Sequence, residues 1–154
     1  MTLNPELDLV VSRVIHAPRA SVWRAWAEPE HLAKWWAPAP IVTVVHQHEL
    51  RAGGAFHTTM RMEDGTEFGA AGCFLEVVAR ERIVFTDALR EGWRPNKEPF
   101  FTAIVTLEEH PQGTRYTATA LHHSAAERQK HAEMGFETGW GTCIDQLAAL
   151  AARL

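Results

Sequence analysis

The sequence predicts an α+β domain in which an antiparallel sheet is covered by a long C-terminal helix. Two observations predict it: extended segments with short turns fill residues 41–123, and apolar residues recur at helical spacing from Phe136 to Leu154. The chain has 154 residues, which is the size of one ordinary domain. We therefore expect a single domain over residues 1–154.

Composition and charge exclude several function classes. The formal net charge is −4, so nothing attracts the chain to a nucleic-acid backbone or an anionic membrane. The N-terminal segment lacks the features of a signal peptide, and no run of ~18 apolar residues occurs that would cross a membrane. Cys73 and Cys143 form neither a disulfide framework nor a CxxC motif. We expect a cytoplasmic protein without nucleic-acid or membrane partners and with both thiols in its core.

A strand and two short helices open the chain. Residues 7–17 are rich in β-branched residues and end before Pro18, which is typical of a strand. Helical spacing of the apolar residues after Pro18 predicts a first short helix. The segment 30–36 predicts a second, which ends before Pro38.

Six extended segments follow, and turn sequences rich in Gly, Asp and Pro separate them. The short turns predict an antiparallel meander, interrupted by a polar loop at 90–99 that contains Trp93. From about Ala125 onward, one long helix is predicted. The six segments are 41–50, 55–62, 68–78, 82–89, 100–109 and 114–123.

Three glycines stand in the predicted C-terminal helix, although each costs a helix interior about 1 kcal/mol relative to alanine. Gly139 flanks the apolar stripe, so we expect a strand or loop to approach the helix closely there. Gly135 and Gly141 lie off the stripe, and the helical wheel alone does not explain them.

Four segments in the same order resemble the START-like (SRPBCC) superfamily. They are "APRASVWRAWAEPEHLAKWWAP", "GGAFHTTMRMEDG", "GCFLEVVARERIVFT" and "MGFETGWGTCIDQLAAL". Within that superfamily the chain is most similar to bacterial homologues of the C-terminal domain of the activator of the heat-shock protein 90 ATPase. The resemblance extends from about Leu7 to the C-terminus. It implies a helix-grip fold, in which a curved antiparallel sheet of about six to seven strands wraps around the C-terminal helix and leaves a cavity.

Strand alternation predicts which side chains would line such a cavity, because residues i and i+2 share a face. We expect Asp87 and His122 to supply its polar contacts. A cavity of this kind suits a small hydrophobic or aromatic molecule, whereas the alternative is that the same residues fill an ordinary core. The expected apolar lining consists of Trp36, Phe56, Met60, Phe85, Tyr116 and Trp140.

No metal or cofactor is expected. His46 and His48 stand two apart on a predicted strand, so both imidazoles should project from one face, where zinc needs a third ligand. Glu49 projects from the other face and His57 is predicted to point outward, so no further ligand is evident.

Two alternatives to small-molecule binding remain open. Desolvation would raise the pKa of Asp87, so Asp87 and His122 are weak candidates for general acid–base catalysis. The resemblance supports that alternative, because some START-like relatives are cyclases or dehydratases of polyketide-type rings. It also implies a protein-interaction role, as a co-chaperone or in a stress response. Self-association is a further form of protein interaction that remains open, because exposed Trp residues on the short helices or on the 90–99 loop would offer a dimer surface.

Overall fold

The computed structural model of the chain describes residues 2–154. Its elements follow the predicted order of strand, short helices, strands and C-terminal helices. The strands are β1 Asp8–Ile15, β2 Val42–His48, β3 Ala55–Arg61, β4 Glu67–Val78, β5 Arg82–Thr86, β6 Leu89–Arg90, β7 Arg94–Pro95, β8 Thr102–His110 and β9 Gly113–Leu121. The helices are α1 Arg19–Ala27, α2 Pro29–Leu32, α3 Ala125–Glu133 and α4 Phe136–Ala151.

A seven-stranded antiparallel sheet forms the body of the fold, in the order β1-β9-β8-β5-β4-β3-β2. The six later strands make the predicted meander, and β1 extends it by pairing with β9 along its whole length. Bulges interrupt the β2–β3 pairing between Val45 and Gln47 and the β4–β5 pairing between Phe74 and Glu76. Bulges bend and twist strands, so they contribute to the curvature of this sheet. The predicted α+β helix-grip architecture is confirmed.

The polar loop at 90–99 is structured by contacts with the outer face of the sheet. It contains the two-stranded ribbon β6–β7, with Gly92 in the left-handed region at φ 74°. The Glu91 carboxylate lies 2.7 Å from His57 Nε2 on β3. The indole of Trp93 packs beside Gly53 in the β2–β3 turn. These contacts hold the loop against the sheet.

The C-terminal region is two helices, so the prediction of one long helix was wrong. Gly135 has φ 89° and separates α3 from α4. The helical wheel could not reveal this break, because the apolar stripe begins with α4 at Phe136 and says nothing about the polar residues of α3 before it. The close approach expected at Gly139 was also wrong, because no atom lies within 4 Å of the position a Cβ would take there. Gly141, by contrast, lies against the guanidinium of Arg13.

The core lies between the concave face of the sheet and the helices α1 and α4. Trp26 of α1 and Leu147 of α4 are completely buried in it. Ser124 caps the N-terminus of helix α3, because its hydroxyl accepts a hydrogen bond from the Glu127 amide at 3.2 Å. Within residues 2–154, no helix is both long enough and apolar enough to cross a membrane.

Candidate functional site

A cavity of about 310 Å³ lies between the concave face of the sheet, the start of α4 and the segment after α2. Its wall is mainly aromatic and aliphatic. Seven of the eight side chains that the sequence predicts for the site lie on this wall: Trp36, Phe56, Met60, Phe85, Asp87, Tyr116 and Trp140. Further lining includes Trp26, Trp35, Phe100, Phe101, Ala118, His131, Met134, Cys143 and Ile144.

Four aromatic rings form one side of the cavity by packing edge to face. The ring centre of Trp36 lies 5.2 Å from that of Phe56 and 5.7 Å from that of Phe85. Phe56 and Phe85 are perpendicular, with their ring centres 5.2 Å apart. Trp26 lies behind them, 5.2 Å from Trp36. Such edge-to-face contacts stabilise aromatic pairs beyond simple burial, so this wall is held firmly in place.

Two tryptophans also anchor the small helices through their ring nitrogens. Trp26 Nε1 donates to the Tyr116 hydroxyl at 2.8 Å, which ties α1 to β9. Trp35 Nε1 donates to the carbonyl of Ala25 at 2.8 Å, which ties the segment after α2 to α1. The anchoring role and the lining role are thus combined in these residues.

Tyr116 and Cys143 are neutral polar groups at the apolar wall. Burial raises the pKa of the Tyr116 phenol well above its ordinary value, and burial raises the pKa of the Cys143 thiol to about 12. Both side chains therefore keep their protons at neutral pH. The Tyr116 hydroxyl accepts from Trp26 and keeps its own hydrogen for a second partner.

Asp87 faces the cavity and at the same time organises the segment before β8. One oxygen of its carboxylate accepts from the amides of Phe100 and Phe101, at 2.8 and 3.2 Å. Burial raises the pKa of Asp87, and these two hydrogen bonds oppose that rise. Asn96 donates from its side chain to the Asp87 carbonyl at 2.8 Å. One of the two carboxylate oxygens of Asp87 is thus used to hold Phe100 and Phe101 at the wall.

The eighth predicted residue, His122, does not line the cavity, so this assignment is corrected. Its side chain points inward as strand alternation predicts, but His131 of α3 lies between it and the cavity. His122 Nε2 lies 2.8 Å from His131 Nδ1, and His122 Nδ1 lies 2.8 Å from the carbonyl oxygen of Leu7. No sequence pattern singles out His131, which stands in the polar segment "ERQKHAE" of a weakly amphipathic helix.

Aromatic rings surround His131. Its ring centre lies 4.8 Å from Phe100, 5.0 Å from Phe101 and 5.2 Å from Phe136. Burial among them, with a smaller effect of His122, lowers the pKa of His131 to about 4. The imidazole is therefore neutral at pH 7 and can both donate and accept one hydrogen bond.

His46 and His48 do not share a face, so this prediction was wrong. The bulge between Val45 and Gln47 changes the alternation of side chains within β2. His46 Nε2 lies 2.8 Å from the Thr59 hydroxyl on the outer face, whereas His48 Nε2 lies 2.9 Å from the Trp26 carbonyl on the inner face. The pair cannot act together on a metal ion.

Elsewhere in the described part of the chain, one cluster has the geometry of metal ligands. Glu28, Glu30 and His31 place three ligand atoms within 4.8 Å of one another at the surface. Glu28 already pairs with Arg24 at 2.7 Å and with His31 at 3.3 Å. This cluster is explained by ion pairing on α1 and α2.

A curved antiparallel sheet that grips a C-terminal helix and encloses a cavity defines a helix-grip domain of the START-like class. Residues 16–152 match the family model described as Activator of Hsp90 ATPase homolog 1-like protein. The chain belongs to this family. No functionally curated protein gives a significant match.

Solved structures of bacterial proteins share this fold over nearly the full chain. A Nitrosomonas europaea protein is 41% identical, with a TM-score of 0.94 and coverage of 98% of this chain and 97% of its own. A Mycobacterium smegmatis protein is 30% identical, with a TM-score of 0.80 and coverage of 95% and 91%. An AHSA1-like protein from Aeromonas hydrophila, at 22% identity, a TM-score of 0.70 and coverage of 96% and 93%, shares the fold.

Proposed function

We propose that this protein binds a small, largely apolar molecule in the cavity between α4 and the sheet. The observation that carries the proposal is a cavity of about 310 Å³ whose wall is mainly formed by aromatic side chains of the core. Ligand sites in proteins commonly have volumes of roughly 300–1,000 Å³ and a few polar groups on a mainly apolar wall. This cavity is at the lower end of that range, so it suits a compact ligand.

Small residues opposite large rings support a role for the open space. Ala118 of β9 lies on the cavity wall in a buried position, and Ala70 of β4 lies on it in an exposed position. Protein interiors are normally packed to the density of organic crystals, and leaving space among apolar side chains reduces stability. A bound ligand would supply the contacts that these small residues do not make.

Neither alternative function has comparable support. Acid–base catalysis would depend on Asp87 and His122, yet Asp87 is bonded to two backbone amides and His122 lies behind His131. The family description names an activator of a heat-shock ATPase, which would act through a surface. In this chain, the structural feature that supports a function is the cavity and not a particular surface.

A fluorescent probe tests the proposal. We expect N-phenyl-1-naphthylamine to bind the wild-type protein at one site, with the enhanced emission that an apolar environment gives. Ala118→Leu places a larger side chain into the cavity and should abolish this signal. The matched control is Ala149→Leu, on the exposed face of α4, which should bind like wild type. Absence of binding to wild type, or equal binding by the Ala118→Leu protein, would contradict the proposal.

A further inference from the structure

The hydrogen-bond chain behind the cavity fixes the tautomers of two histidines. The carbonyl oxygen of Leu7 only accepts, so His122 Nδ1 at 2.8 Å must carry the hydrogen. When His122 carries only this one ring hydrogen, its Nε2 atom has a lone pair. His131 Nδ1, 2.8 Å away, must therefore carry the hydrogen of that contact. In neutral His131 the remaining nitrogen, Nε2, is left as a hydrogen-bond acceptor.

This acceptor opens to the cavity. His131 Nε2 has no hydrogen-bond partner among residues 2–154. The Nε2 atom is nevertheless accessible, because it is absent from the set of unpaired side-chain atoms that are closed to solvent. Only 6% of the residue is exposed, and His131 lines the cavity. The unpaired Nε2 atom therefore belongs to a side chain that lines the ligand space.

No side chain on the wall near His131 donates a hydrogen bond to Nε2. Phe100, Phe101 and Trp140 surround the imidazole with rings whose centres lie 4.8, 5.0 and 5.8 Å away. An apolar ligand that filled the cavity would expel solvent from Nε2 and leave the acceptor unpaired, which disfavours binding. A ligand with a hydrogen-bond donor would pair it.

We propose that the cavity selects compact aromatic molecules carrying a neutral hydroxyl or N–H group, which donates its hydrogen to His131 Nε2. His122 is a positioning residue in this scheme, because it fixes the tautomer of His131 without touching the ligand. The inference rests on the proposed function, and it adds the chemical class of the ligand.

Calorimetric titrations with three probes of nearly the same shape test two claims separately. The first is that the cavity binds a ligand, and the second is that it prefers a ligand with a hydrogen-bond donor. 2-Naphthol carries the donor, 2-methoxynaphthalene keeps the oxygen but lacks the hydrogen, and 2-methylnaphthalene has neither. We expect 2-naphthol to bind about tenfold more tightly than the methoxy compound, as one additional buried hydrogen bond provides. The methoxy and methyl compounds should bind with similar affinities.

Two variants show where the preference originates. His131→Phe keeps an aromatic ring among aromatic neighbours and should reduce the naphthol preference to less than about twofold, while 2-methylnaphthalene still binds. His122→Leu removes the acceptor for His131 Nδ1, so the hydrogen is free to move to Nε2. This variant should lose the naphthol preference and bind 2-acetylnaphthalene, which only accepts, more tightly than wild type does.

The outcomes are distinct. Equal binding of all three probes by wild type would overturn the inference and leave the proposed function standing. A naphthol preference that persists in the His131→Phe protein would also overturn it, because another group would then be the acceptor. If none of the probes binds, both the inference and the proposed function fail. Circular dichroism and a thermal unfolding curve for each variant verify that its fold is intact.

Discussion

At the scale of single residues, one buried hydrogen bond joins the first helix to the last strand. Trp26 is completely buried, and the only polar atom of its side chain, Nε1, donates to the Tyr116 hydroxyl at 2.8 Å. We expect Tyr116→Phe to lower the free energy of unfolding by about 1–3 kcal/mol, because it leaves the buried indole N–H without its partner. Urea unfolding monitored by circular dichroism measures this difference.

A hydroxyl pair on the outer face of the same strand provides the control. Thr117 shares a hydrogen bond of 3.1 Å with Ser12 in an exposed position. Thr117→Val should change the free energy of unfolding by less than about 0.5 kcal/mol, as most surface substitutions do. Equal losses in the two variants would show that the Trp26–Tyr116 contact has no special role.

The second residue-scale prediction concerns pH. The pKa of His131 is about 4 in the folded protein against an ordinary 6.5, so the unfolded chain binds the proton more readily. The contribution of neutral His131 to the free energy of unfolding is therefore complete above pH 6.5 and is lost as the pH falls toward 4. The free energy of unfolding decreases over this range by at most about 1.4 kcal/mol per pH unit. Unfolding measured at several pH values should show a steeper decline for wild type than for His131→Phe.

His123 supplies the control for this experiment. It is exposed, so His123→Gln removes one histidine and leaves the buried His131 in place. The free energy of unfolding of this variant should depend on pH as that of wild type does. Parallel curves for wild type and His131→Phe between pH 6.5 and 4 would contradict the assignment of His131 as a buried neutral imidazole.

At the scale of elements, the two glycines on either side of the α4 N-terminus have opposite roles. Both have open space where a Cβ would be, so sterics do not distinguish them. Gly135 has φ 89°, which an L-residue adopts at a cost of about 1–2 kcal/mol, whereas Gly139 lies within the helix. Gly135→Ala should therefore destabilise the protein by about that amount.

Gly139→Ala should instead stabilise it by about 1 kcal/mol, the difference in helix propensity between the two residues. Thermal unfolding of both variants beside wild type tests the pair. Shifts of the same sign would mean that the break between α3 and α4 does not depend on the left-handed conformation of Gly135.

The same elements show what the sequence could predict. Period-two alternation and short turns were sufficient to predict the meander, because each strand of the meander pairs with the next one and the local pattern therefore determines the pairing. The bulge in β2 and the break at Gly135 each involve one residue whose backbone departs from the regular period, and a pattern of side chains does not reveal this. His131 was missed for a related reason, since its position depends on the packing of α3 against the residues before β8.

At the scale of the whole molecule, the cavity implies a balance between binding and stability. Ala118 is buried and lines the cavity, so a leucine there would occupy part of the open space. Each buried methylene contributes about 0.8 kcal/mol, and we expect Ala118→Leu to raise the free energy of unfolding by about 1–2 kcal/mol. Urea unfolding without ligand tests this, and a marked destabilisation would indicate that the space is already filled.

The central claim is that a compact aromatic molecule occupies the space between α4 and the sheet. The most direct measurement is a set of intermolecular nuclear Overhauser effects between bound 2-methylnaphthalene and the protein methyl groups. We expect contacts with the methyls of Val105, Ala118 and Ile144, all of which line the cavity, and none with the exposed methyl of Ala149. Contacts restricted to surface methyls, or no contacts at saturating probe, would contradict the claim.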